Sequence, residues 1–498
     1  MRFLLFFYLF ASSQNVWASE PITIGSKSFT EGVVLGEVLA QALRNEKLPV
    51  KMQAQLGGTR LVWNALRAGN IDAYVEYSGT LFSELVPNAI RGDLSDLKMK
   101  LAEIGIGISR PLGFNNTYGF GMLRTKAQSL GIKKISDLPH FPNFRAGLSS
   151  EFLNRADGWP GAKKTYSLPQ SSPRGMEHAV SYRALKAGDI DFVDVYTTDG
   201  DIKTYDIYVL NDDLNFFPRY DALVIYRLDL LKRAPQALKV FTALEDSINQ
   251  DTMTKMNAAV TMGKKKESRV ASEFLKEHYG FVSQITTQSR FQRIIKLTKE
   301  HLSLVGISLL FALLLGIPLG ILSAKYNHFG LITLQTVGIF QTIPALALLV
   351  VLIRPLNAIG LRGIGALPAI IALFLYSLLP IVRNTFLGFT QFPEDLKESM
   401  HSLGISAFQR IRYIELPLAL PAILSGVKTA AVINIGFATL GALVGAGGYG
   451  QPILTGIRLD DYSLILEGAI PSAVLAVLVE RIFTLSERVI LPKPLRKS

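Results

Sequence analysis

Two tyrosines set in an internal echo are the first residues of this chain whose chemistry can be read. Ala65-Leu-Arg-Ala-Gly-Asn-Ile-Asp-Ala-Tyr-Val-Glu-Tyr77 returns as Ala184-Leu-Lys-Ala-Gly-Asp-Ile-Asp-Phe-Val-Asp-Val-Tyr196. Each copy reads as a helix end, a glycine stop and a strand closed by Tyr77 or Tyr196. A unit that occurs twice describes two similar lobes rather than an array. Two α/β lobes facing each other across a cleft make a ligand trap that closes by hinge motion, with one tyrosine supplied from each side. The chemistry is binding, because no nucleophile, base and orienting group cluster together. No G-x-x-x-x-G-K-[ST] phosphate loop occurs either. Gly445-Ala-Gly-Gly-Tyr-Gly450 satisfies G-x-G-x-x-G, yet it follows an apolar run and opens no βαβ unit, so it reads as a helix end.

The elements that must position these residues divide the chain in two. Of 498 residues, 49% are hydrophobic, and mean hydropathy is +0.28. Charged residues concentrate between 20 and 300, whereas 302 to 490 is dominated by Leu, Ile, Ala and Gly. Half reads as water-soluble and half as embedded. The net charge of +12 comes without a basic stripe interleaved with aromatics, which argues against nucleic acid, and Lys264-Lys265-Lys266 reads as a solvated helix face. Cysteine is absent, excluding disulfides and thiolate metal sites. Residues 1–18 read as a signal peptide, with Arg2, an apolar Phe3–Ala11 and small residues before Ser19; an uncleaved anchor is the other reading. Residues 19–283 alternate short strands and amphipathic helices, an α/β arrangement, and 284–301 reads as a linker helix. Residues 302–498 form an all-α polytopic membrane domain. Its runs at 302–322, 330–353, 366–389, 418–445 and 464–490 are each long enough to cross about 30 Å of hydrocarbon. A sixth crossing would come from splitting 330–353 or 464–490. Arg383, Glu480 and Arg481 fall within spans and are expected to face protein. Five crossings put Arg354 and Arg362 on the outer side, against the usual bias of basic residues to the inside.

Between the third and fourth runs lies a polar island, Glu398 to Pro421. Its amphipathic start, Gly404 and the re-entry at Ile414, Leu416 and Pro417 describe a helix, a turn and a second helix at a membrane surface. Glu398, Arg410 and Arg412 would ring apolar Leu403, Ile405 and Phe408 in a knob able to dock in a groove. The pattern resembles the coupling loop, here 390–417, of ABC-importer permeases. Glu398, Gly404, Leu416 and Pro417 match, while Ser399 and Met400 replace the two small residues of the family triplet. Gln341-Thr-Ile-Pro-Ala-Leu-Ala-Leu348 and Leu375-Tyr-Ser-Leu-Leu-Pro-Ile-Val-Arg-Asn-Thr385 also resemble permeases of osmoprotectant importers.

Residues from Ile22 to about Phe281 resemble the periplasmic binding proteins for glycine betaine, choline and related osmoprotectants. The likeness rests on Ile24-Gly-Ser-Lys-Ser-Phe-Thr-Glu31, Gly57-Gly-Thr59, Glu76-Tyr-Ser-Gly-Thr80 and Asn115-Asn-Thr-Tyr118. It implies a two-lobed, type II-like periplasmic-binding-protein domain followed by an ABC type I permease fold. It implies a tyrosine box at Tyr77, Tyr118, Tyr196 and Tyr220 around a trimethylammonium group, with Lys27, Thr80 and Arg155 toward a carboxylate. Lys27 and Arg155 have a second reading as salt-bridge partners, and Trp63 and Trp159 line the mouth or belong to the core. The resemblance further implies an inner (plasma) membrane importer subunit, multi-pass, with its binding domain on the periplasmic or extracellular side. It would be no enzyme, use no cofactor or metal of its own, and form a homodimer with a separate cytoplasmic ATPase that consumes ATP. Choline, carnitine and ergothioneine are alternative ligands; a membrane-anchored sensor or ligand-gated channel is the reading from another class. Receptor before permease departs from fused family members in which the permease leads.

Overall fold

A computed structural model describes residues 20–281, 289–393, 402–403 and 405–490. The signal-peptide reading and the coupling residues Glu398, Ser399, Met400 and Gly404 lie outside them. The receptor half has ten strands among the described residues: β1 Ile22–Gly25, β2 Val50–Gln53, β3 Ala73–Tyr77, β4 Ile106–Asn115, β5 Tyr118–Leu123, β6 Ala146–Ser149, β7 Arg174–Met176, β8 Phe192–Tyr196, β9 Ile207–Val209 and β10 Asp221–Arg227. They form two sheets, β2-β1-β3-β10-β4 and β7-β6-β8-β5-β9. The echo falls on equivalent places in both. β3 pairs parallel with β1 and antiparallel with β10, just as β8 pairs parallel with β6 and antiparallel with β5.

Each echo strand follows a helix, α2 (Thr59–Arg67) or α3 (His178–Ala187). Gly69 and Gly188 stop these helices at φ +73° and +80°, a left-handed conformation that costs glycine no Cβ clash. The burial pattern then drives the strand: all five residues of β3 are buried, as are the first four of β8. Helix α1 (Thr30–Asn45) covers the first sheet with Val34, Leu35, Val38, Leu39 and Leu43, each nearly solvent-free and contributing about 1.5–3 kcal/mol of burial. Trp63 and Trp159 are core residues, the latter packed against Phe120 and Phe192. The chain passes between sheets at 116–117 and returns at 210–220. These crossovers are bonded together, Asn116 N–H to the Tyr220 carbonyl at 3.0 Å and Tyr220 N–H to Asn115 Oδ1 at 2.7 Å, which makes a double-stranded hinge. After β10, helices α4 (Gln250–Thr261) and α5 (Glu267–Tyr279) close the first lobe.

The membrane half begins with α6 (Arg290–Lys325). The segment expected as a separate linker helix runs without a break into the first span, because its i, i+4 bonding meets no Pro or Gly stop. Helix α7 (Asn327–Thr342) and the stretch Ala345–Ala358 form one apolar unit bent by 95°. Pro344 has no N–H to bond the Phe340 carbonyl and so cannot continue the helix, and at the break the Ile343 carbonyl accepts from the Tyr376 hydroxyl. Helices α8 (Ala366–Thr390), α9 (Leu416–Ala438), α10 (Gly450–Leu459) and α11 (Tyr462–Ile490) follow. Among the described residues, four helices are long and apolar enough to cross a membrane, or five with the bent pair as one span. Small residues allow close contact between them: a Cβ on Gly320 would meet Thr385 at 2.5 Å, and one on Gly426 the Pro380 carbonyl at 2.6 Å.

Arg383, Glu480 and Arg481, expected to face protein, are exposed on the surface of this single chain. Among the described residues, Lys428 of α9 and Glu487 of α11 pair at 3.2 Å, and Arg293 of α6 pairs with Glu467 of α11. Helix faces are set by the apolar stripe, and a single chain leaves some of them uncovered.

Candidate ligand-binding site

The four tyrosines meet at the hinge. Tyr118 starts β5 and Tyr220 precedes β10, while Tyr77 and Tyr196 end the echo strands. Ring centroids of Tyr118 and Tyr196 stand 5.2 Å apart, and Tyr220 meets Tyr118 edge-on at 5.3 Å. A fifth ring completes the wall: Phe29 lies 6.1 Å from Tyr77 and 5.4 Å from Tyr196. Two phenols are tethered behind the rings, Tyr77 donating to Glu31 and Tyr220 to Asp157, both at 2.6 Å. Burial pushes all four phenols well up, so they are neutral and keep their electron-rich faces. The rings border one cavity, with Lys27, Thr80, Asn116 and Glu151 completing its lining.

Sequence reasoning named Lys27, Thr80 and Arg155 beside the tyrosines. Lys27 and Thr80 reach the cavity wall, and Arg155 stands just behind it, donating to Thr80 Oγ1 at 3.3 Å with its guanidinium carbon 5.7 Å from the Tyr118 ring centre. Both cations already have partners. Lys27 is 2.6 Å from Glu76, and Arg155 forks onto Asp157 at 2.8 and 2.6 Å. Each pair is nearly solvent-free, so neither charge is buried alone. Glu151 accepts from the Thr59 N–H at 3.1 Å. Burial works against its ionisation, but Lys27, Thr59 and Arg155 outweigh burial and hold its carboxyl below the usual range.

Phe29, Asn116 and Glu151 escaped the sequence reading as site residues. Phe29 and Asn116 sit inside motifs that were recognised, but only tyrosines were counted as cage rings. Glu31 escaped too, although it receives bonds from Tyr77, Asn116, Thr198 and Asn257 across both lobes. Burial pushes its carboxyl up despite those donors.

Behind Tyr196 lies His178, ring centroids 4.3 Å apart, with Nε2 2.8 Å from Asp199 and Nδ1 3.6 Å from Asp194. Burial opposes its positive charge, but Asp199 and Asp194 win and hold its pKa well above 6.5. Asp201 nearby is pushed up to about 6 by burial and by Asp199. A cation whose folded pKa exceeds its unfolded one stabilises fully below the unfolded value, and that stability is lost as pH rises through the folded one. The receptor's denaturant midpoint is therefore expected to fall as pH rises above the ordinary histidine range, and His178→Gln to flatten that slope. Tryptophan fluorescence reads it, since Trp63 and Trp159 both lie in this domain.

The receptor is seated on the membrane half. Gln55 donates to Thr455 at 2.9 Å and Asn70 to Asn357 at 3.0 Å. At the end of α10, Arg458 donates to Thr30 Oγ1 at 3.0 Å and pairs with Glu267 of the first lobe, while Asp460 pairs with Arg183 of the second. One turn of the membrane domain thus touches both lobes. Arg458 also borders a pocket that shares Phe29 and Tyr196 with the cage.

An aromatic trap between two hinged lobes, seated on a bundle of apolar spans, defines a solute receptor joined to a membrane permease. The chain belongs to the family of the substrate binding domain of ABC-type glycine betaine transport systems, which matches residues 20–277. Residues 316–491 match the binding-protein-dependent transport system inner membrane component. Among relatives, the ergothioneine transport permease/ergothioneine binding protein EgtU of Helicobacter pylori is 33% identical over 53% of this chain and 48% of its own length. The chain thus spans about half of that relative. The osmoprotectant import permease protein OsmW of Salmonella typhimurium is 38% identical over 41% of this chain and 94% of its own length. The glycine betaine/carnitine/choline transport system permease protein OpuCD of Bacillus subtilis is 42% identical over 39% and 82%.

Proposed function

We propose that this chain is the receptor and permease of an ATP-driven importer for quaternary ammonium zwitterions such as glycine betaine. The observation that carries the reading is the ring of Phe29, Tyr77, Tyr118, Tyr196 and Tyr220 around one cavity. A quaternary ammonium has no N–H to donate, so ring faces hold it, each worth about 0.5–2 kcal/mol. Lys27 keeps two N–H groups beyond its bond to Glu76, and with Thr80 and the Arg155 charge these suit a carboxylate at the other end. Choline and carnitine are the alternatives that share the ammonium. Glu151 favours a second reading: an ionised acceptor on the cavity wall suits a ligand with its own N–H, such as ergothioneine, the compound in the Helicobacter relative's name.

Energy comes from a separate cytoplasmic ATPase, with two copies of each subunit and the receptor on the outer side of the inner membrane. The support is on the face away from the receptor, where Leu403, Phe408 and Tyr413 are 75%, 69% and 67% exposed next to the Leu416-Pro417 helix start. An apolar knob of this kind needs a groove to cover it. Exposed Arg383 on an apolar span supports a second copy or an aqueous pore against that face. Calorimetric titration of the full chain in detergent tests the ligand. Glycine betaine is expected to bind; tighter ergothioneine binding that weakens in Glu151→Gln moves the reading to the second ligand, and no binding to either or to choline sinks both. Phe408→Asp is expected to abolish ligand stimulation of the partner's ATP hydrolysis while leaving titration unchanged; a full ATPase response would refute the coupling role.

A further inference from the structure

A polar cavity lies between the receptor and the membrane domain. Lys51 of β2 comes from the receptor; Lys296 and Glu300 of α6, Arg362, and Gln451 and Leu454 of α10 come from the membrane half. The glycine-rich turn that failed as a nucleotide motif finds its use here. Gly448 N–H donates to Glu300 at 3.0 Å, and a Cβ on Gly447, at φ +82°, would come within 2.6 Å of that carboxylate. Lys296 lies 3.8 Å from the same group. Glu300 is thereby neutralised, whereas Lys51 and Arg362 have no hydrogen-bond or ion-pair partner among the described residues. The cavity therefore carries net positive charge.

Arg362 is held in place by its neighbours. Gly363 N–H donates to Asn357 at 2.9 Å, Gly365 N–H to the Val444 carbonyl at 2.6 Å, and Ile364 is buried in the receptor cluster of Leu56 and Val62. This arrangement gives a reason for a basic residue on the outer side, where the usual charge bias disfavours it. Helix α10 links the cavity to the cage. Gln451 lines the cavity and Arg458 the pocket behind Phe29 and Tyr196, and seven residues of helix span about 10 Å.

We propose that this cavity is a transit site for the carboxylate end of a zwitterionic ligand, with Arg362 as its principal contact and Lys51 and Lys296 supplying field. A ligand released from the cage arrives carboxylate-first, and a plain cation is disfavoured by the same charge. The proposal rests on the quaternary ammonium reading of the cage. Its test is initial-rate uptake of radiolabelled glycine betaine and of choline by cells producing the full chain with its ATPase, beside calorimetry on the same variants. Arg362→Gln is expected to slow betaine uptake about tenfold, leave choline uptake undiminished and leave betaine affinity within about twofold; Arg362→Lys is expected to restore uptake. Unchanged betaine uptake, or equal loss for both solutes, overturns the transit site. Failure of the unsubstituted chain to bind glycine betaine instead refutes the cage reading, and with it the ligand assigned to this cavity.

Discussion

Replacing Tyr196 by Ala is expected to weaken glycine betaine binding about 30- to 100-fold, equivalent to about 2–3 kcal/mol. The loss combines a desolvated cation–π contact with the packing of a ring that touches Phe29, Tyr118 and His178. Tyr196 is the best cage position to substitute, because its hydroxyl holds no hydrogen bond among the described residues, whereas Tyr77 and Tyr220 anchor Glu31 and Asp157. Tyr196→Phe keeps the face and is expected to bind within about threefold of the parent, since a hydroxyl without a partner contributes little. Calorimetry of both variants decides it: equal loss in Phe and Ala would mean that the hydroxyl, not the ring face, holds the ligand.

Arg155→Ala is expected to cost the receptor domain about 3–5 kcal/mol of stability, the penalty for breaking a buried ion pair from one side. Asp157, 4% exposed, would be left with only the Ser83 and Tyr220 hydroxyls as partners, at the cost of a buried lone charge or of its protonation. Burial raises the Asp157 carboxyl's pKa, but the bonds from Arg155 more than offset it, so removing Arg155 removes what keeps the group ionised. The double substitution Arg155→Met with Asp157→Asn is expected to recover most of the loss, because neither charge then remains buried alone. Denaturant titration followed by tryptophan fluorescence measures both. A single variant within about 1 kcal/mol of the parent would show that Asp157 finds another partner. It follows that ligand affinity lost in Arg155→Ala alone reports the fold as well as the contact.

The parts of the molecule legible in its sequence are those encoded locally. Helix and strand periods, the glycine stops at Gly69 and Gly188 and the apolar runs each depend on residues a few positions apart. The echo was legible for the same reason, and it landed on equivalent strands. Cage tyrosines could be named because they end strands or border crossovers inside recognisable motifs. Phe29 was passed over because an isolated phenylalanine before a helix carries no periodic signal, and only the approach of Tyr77 and Tyr196 makes it a wall.

Charge pairing lay beyond local reading. Lys27 meets Glu76 across 49 positions, and Lys428 meets Glu487 across 59, because strand order and helix packing decide which side chains become neighbours. Two hinged α/β lobes, a run of apolar segments and a polar island between them follow from neighbouring residues alone. Packing between distant elements was needed to bring a turn of the membrane domain against both lobes, to set the 95° bend at Pro344 and to place Arg362 on a cavity beneath the receptor. Local propensity sets each element, but the contacts that give a charge its role are made between elements far apart in the chain.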